Sequence, residues 1–129
     1  METKLQRNRP KYLNLFKIKQ PLPAQVSILH RVSGVLLFFP GIPLLLYSLQ
    51  RLLESPESFT EIRLILNDPL VKCALLLSLW FFLHHFFAGI RFLALDLHYG
   101  SSLEQARLSS KLVLIAGFIL TVFAGVWLW

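Results

Sequence analysis

Three stretches of this chain contain no charged side chain: Val32 to Gln50, Cys73 to Ile90 and Leu112 to Trp129. As a helix rising about 1.5 Å per residue, each is long enough to cross the ~30 Å hydrocarbon layer of a bilayer. With 129 residues, 55% of them apolar and 16% charged, nothing is left over for a separate soluble domain. The expectation is an all-α integral membrane protein with three transmembrane helices, at about 25–53, 68–97 and 109–129. A polar arm over residues 1–24 would precede a single membrane domain over residues 25–129.

Charge placement orients the chain. The formal net charge is +6, but six of the thirteen basic residues (Lys4, Arg7, Arg9, Lys11, Lys17 and Lys19) precede the first span. The connection after it is acidic, with Glu54, Glu57, Glu61 and Asp68 against Arg51, Arg63 and Lys72. That asymmetry places the amino terminus in the cytoplasm and the carboxyl terminus on the periplasmic side, and it argues for a lipid partner rather than nucleic acid. The Pro-rich basic segment before the first span carries no small-residue cleavage site, so no cleaved secretory signal is expected.

Local signals set the expected boundaries. Helix one starts near Gln25 or Ser27, with Ser27 as a cap after Pro23, and kinks at Pro40 and Pro43. Glu54 to Asn67 reads as a loop with one short amphipathic turn. Helix two follows Asp68 with Pro69 in its first turn. Leu97 to Ser109 is a cytoplasmic connection, and helix three starts near Ser110 and closes on Trp127 and Trp129, an aromatic belt. Cys73, the single cysteine, reads as a small buried apolar residue.

Polar residues within spans are costly and point to function. Ser27, His30, Arg31 and Gly34 recur every three or four residues and share one stripe of helix one. Snorkelling of Arg31 and capping by Ser27 account for part of that stripe equally well, but leave His30 and Gly34 unexplained. In helix two, Phe82, His85, Gly89, Phe92 and Asp96 fall on one face, and His84, Ala88, Arg91 and Leu95 on another. A histidine one turn before a glycine suits haem, with the imidazole on iron, room for the porphyrin edge at Gly89, and Phe82 and Phe92 as walls. The competing reading is a pair of histidines bonded to backbone carbonyls and a glycine that allows close helix packing. No carboxylate stands at ligand spacing from these histidines and Cys73 is about three turns away, which disfavours zinc. His84 leaves the helix about 100° from His85, and His30 is expected at a different depth. A second axial ligand is therefore expected from another polypeptide.

Two patterns then occur in order: Arg9-Pro10 followed by Ser27-Ile28-Leu29-His30-Arg31-Val32-Ser33-Gly34, and His85-x-x-x-Gly89-Ile90-Arg91 with Asp96 five residues on. With them the whole chain resembles the larger cytochrome b membrane-anchor subunits of succinate dehydrogenase, respiratory complex II. The resemblance implies a haem b-binding anchor that holds the flavoprotein and iron–sulfur subunits to a bacterial inner membrane and helps form the ubiquinone reduction site, without catalysis alone. It implies His85 as axial ligand, with the other axial histidine from a second anchor subunit packed against this one. His30, Arg31, Gly34 and Gly89 would neighbour the haem and its propionates, and Ser27 and Arg31 would bind quinone. His84 is an extra histidine and a minor alternative ligand. Phe92 stands where some members carry histidine, and His98 where the family tends to have a small residue. A quinol:fumarate reductase anchor is the near alternative. A small helical transporter or purely structural subunit is a distant one, since no Asp or Glu lies in the three uncharged cores.

Overall fold

The computed structural model describes Asn14 and residues 17–128; the Arg9-Pro10 pair, the cationic residues Lys4, Arg7 and Lys11, and Trp129 lie outside the described residues. These residues are all-helical: α1 (Leu22–Leu36), α2 (Ile42–Glu54), α3 (Pro56–Asn67), α4 (Pro69–Asp96) and α5 (Leu103–Leu128). A single π-helical turn, Leu37–Gly41, joins α1 to α2. Three candidate spans result, Leu22–Glu54, Pro69–Asp96 and Leu103–Leu128.

The first span begins earlier than Ser27. Its N-cap is Pro21, and Pro23 lies inside the first turn, where a missing N–H is harmless and a fixed φ already suits the helix. Ser27 therefore sits in the second turn and caps nothing. Where a proline kink is expected, the structure has a π-helical turn around Pro40, with Pro43 in the first turn of α2. Pro40 cannot donate to the Leu36 carbonyl, so the turn widens and the Ile42 N–H reaches back five residues to Leu37. Gly41 makes this possible, because a Cβ there would stand 3.2 Å from the Leu36 oxygen.

The segment read as a loop is a helix. Ser55 caps α3 by accepting from the Ser58 N–H, the Ser58 hydroxyl returns the bond to Ser55, and Pro56 opens the first turn. Arg51 ties α2 to it, bridging Glu54 at 2.8 Å and Glu61 at 2.7 Å. At the helix start, the Glu57 carboxyl is held below its usual range by its own backbone N–H and the Ser55 hydroxyl. Asp68 then caps α4 through the Leu70 and Val71 N–H groups. Helix α5 also starts early: Ser102 accepts from the Gln105 N–H, and Glu104, Gln105, Ala106 and Arg107 are strong helix formers, so the connection shortens to six residues, 97–102. Within it, His98 (φ 65°) takes the left-handed position of a Schellman ending to α4, its N–H on the Leu95 carbonyl and that of Tyr99 on Ala94. A small residue suits that position better.

Helices α1, α4 and α5 pack together around Val26, Ala88 and Val113. This core is thin: no more than 11% of the most apolar window of any span is buried inside the chain. Cys73 is accordingly exposed rather than buried, on an outward face of α4. Trp127, also exposed, stands near the end of α5, where an aromatic belt is expected.

Candidate functional site

The two-face reading of α4 holds. His84, Ala88 and Arg91 are the buried residues of that helix, turned into the bundle. His85, half-buried, borders an apolar groove of about 840 Å³ that opens beside the widened turn of the first span, lined among others by Gly34, Leu37, Phe38, Leu44, Phe82 and Phe86. That volume is in the ~300–1,000 Å³ range of cofactor-sized sites.

The imidazole of His85 is held in one orientation. Its Nδ1 is 3.1 Å from the His30 carbonyl oxygen and 3.2 Å from Ser33 Oγ, while Ser33 Oγ itself donates to the His30 carbonyl at 2.9 Å. A carbonyl only accepts, so the proton is on Nδ1 and the lone pair on Nε2. That is the tautomer a histidine needs in order to bind a metal through Nε2, with its other nitrogen anchored to the protein. Gly34 leaves room for the ring: a Cβ there would meet His85 Cε1 at 3.0 Å.

His30 and His85 meet at one depth, contrary to the expectation from spacing. Their rings stack at 4.2 Å with planes 8° apart. The reason is the early start of α1, which places His30 well inside the span. Rings stacked face to face stand side by side and not on opposite sides of a porphyrin, and the contact covers a ring face while leaving the in-plane lone pair of His85 clear. Over Gly89, a Cβ would meet His30 Nε2 at 3.7 Å, so the space beside that glycine is taken by His30. Phe82 borders the groove as expected, whereas Phe92 packs on His30 at 5.1 Å.

His84 has a different setting. It is fully buried, stacked on Trp80 at 5.5 Å, and among the described residues neither ring nitrogen has a partner at hydrogen-bond geometry. Ser27 is half-buried and Arg31 exposed; neither borders the groove, and neither side chain bonds to another described residue. Among the described residues no three of His, Cys, Asp and Glu gather at one point. Sequence reasoning passed over Ser33, which is fully buried and fixes the His85 ring. Its position directly before Gly34 in the stripe was the available signal.

The pattern described as succinate dehydrogenase/fumarate reductase transmembrane subunit matches residues 6–124, nearly the whole chain. The chain belongs to that family. Among its relatives, the succinate dehydrogenase cytochrome b556 subunit of Coxiella burnetii is 43% identical over 94% of this chain and 97% of its own length. The protein of the same name from Paracoccus denitrificans is 33% identical over 89% and 88%. That of Rickettsia felis is 27% identical over 89% and 87%. A succinate dehydrogenase cytochrome b anchor subunit is a multi-pass membrane protein that belongs to an oxidoreductase complex, and the three apolar helices and thin internal core suit that setting.

Proposed function

We propose that this chain binds haem b through His85 Nε2 and, with a second anchor subunit that supplies the other axial histidine, fixes the iron–sulfur and flavoprotein subunits of succinate dehydrogenase to a bacterial inner membrane. The observation that carries the reading is the Nδ1 proton held by the His30 carbonyl and Ser33, which leaves the opposite nitrogen free beside an apolar groove. The relatives named as cytochrome b556 subunits support it. Bound haem supplies a one-electron store. The chain's own residues do the rest: Ser33 and the His30 carbonyl orient the imidazole, Gly34 admits it, and Phe82 and Phe86 exclude water from the groove.

Ubiquinone is the substrate at the cytoplasmic end of α1, where the exposed Arg31 has no side-chain partner among the described residues. Its charge would stabilise the reduced ring, and Ser27, one turn away, would hydrogen-bond a quinone oxygen. In this orientation the basic amino terminus faces the cytoplasm and α3 the periplasm.

The test is a reduced-minus-oxidised spectrum of the purified complex. His85→Leu should abolish or shift the low-spin haem band, and a wild-type spectrum in that variant would overturn the assignment. Arg31→Leu and Ser27→Ala should slow quinone reduction while the Ser27→Ala haem spectrum persists; unchanged kinetics in both would remove these residues from the quinone pocket.

A further inference from the structure

Arg91 is 7% exposed, and among the described residues it forms no ion pair. A buried cation without a counter-charge is costly unless its donors are satisfied, and here two neutral groups of α5 take part of that load: Nε donates to Ser109 Oγ at 2.9 Å and an Nη to the Ala106 carbonyl at 3.4 Å. The same guanidinium lies over the Phe92 ring, with 5.2 Å from Cζ to the centroid. Phe92 in turn meets His30 at 5.1 Å, and His30 lies flat on His85 at 4.2 Å. Four side chains thus run without a break from a buried positive charge to the imidazole that faces the groove.

We propose that Arg91 is a positioning residue for His85: clamped to α5 and resting on Phe92, it fixes the His30–His85 stack through the tilted Phe92 ring, and its uncompensated charge makes the group bound at His85 easier to reduce. The inference rests on the haem reading above. Its physical basis is that ferric haem carries one more positive charge than ferrous haem, so a nearby cation disfavours the oxidised state. In a low-dielectric interior that interaction is only weakly screened. Net charge and surroundings are among the main determinants of cytochrome potentials.

The experiment is a potentiometric titration of the haem band in the intact complex, for wild type, Arg91→Gln and Arg91→Lys. Glutamine can still donate to α5 but is neutral, and its midpoint potential should fall below that of wild type; lysine keeps the charge and should restore most of the difference. Equal potentials in the glutamine variant and wild type would overturn the proposal and leave the haem assignment standing, whereas a wild-type complex without haem would overturn that assignment itself. Should the glutamine complex fail to assemble, Phe92→Leu breaks the stack and leaves the charge. Its low-spin paramagnetic resonance signal should shift in g value with haem retained, and an unshifted signal would count against the stack.

Discussion

His84 and His85 are adjacent in sequence and separated by about 100° of helical rotation, and they occupy opposite settings. His85 has one nitrogen bonded to the protein and the other beside an apolar groove; His84 is sealed between helices, and among the described residues neither of its nitrogens has a partner at hydrogen-bond geometry. A metal ligand needs an anchored nitrogen, a free one and space in front of it. On the proposed assignment such a role depends on which way the helix faces its neighbours, and deep burial of a histidine is no sign of it.

The contrast is broken most severely at Gly34. A Cβ there would stand 3.0 Å from His85 Cε1, so Gly34→Val should push the ring off its anchor and remove most of the haem, measured as the haem-to-flavin ratio of the purified complex. Normal haem content in that variant would show that the ring does not lie against Gly34 when the site is filled. Gly89→Ala is the milder counterpart, since its Cβ would make only an ordinary contact of 3.7 Å with His30. It should keep most of its haem.

Ser33→Ala removes one of the two acceptors of the Nδ1–H and leaves the His30 carbonyl in place. A neutral hydrogen bond contributes about 1 kcal/mol, so haem should still bind and be released at a temperature a few degrees lower, followed by visible absorbance on heating. Haem loss as complete as that of Gly34→Val would mean that the hydroxyl, and not the carbonyl, fixes the tautomer.

Much of this was legible in the sequence. The three spans follow from uncharged runs, and the two faces of α4 from helical rotation. The first helix starts earlier than expected because Ser27 has the composition of a cap while Pro23 serves as a first-turn residue, and that shift brings His30 towards the depth of His85; α5 starts early for a separate reason, the cap at Ser102. The α3 helix was missed because Ser-Pro-Glu-Ser has the composition of a loop, although Ser55, Pro56 and Ser58 form a capping box. The outward turn of Cys73 was not legible either, since a thiol at a lipid or subunit surface has the same sequence as one in a core. What no spacing argument could supply is the stack of His30 on His85 with Phe92 tilted against it, which depends on the crossing of two helices.

The smallest effect on the haem is expected at His84, and substitutions there separate two explanations of burial. Each unbonded ring nitrogen costs about 1–3 kcal/mol of desolvation, which an apolar ring of similar shape would not incur. Phenylalanine can keep the stack on Trp80, so His84→Phe should leave the haem spectrum unchanged and the thermal stability of the complex equal or higher. His84→Ala should instead lose stability, by about 2 kcal/mol or more, because it leaves a cavity that the close backbone of α5 at Gly117 cannot fill. A loss of haem in His84→Phe, with haem retained in His85→Leu, would exchange the roles of the two residues. Equal stability losses in His84→Phe and His84→Ala would instead mean that the ring nitrogens of His84 bind something in the assembled complex, and that its apolar shape is not what matters.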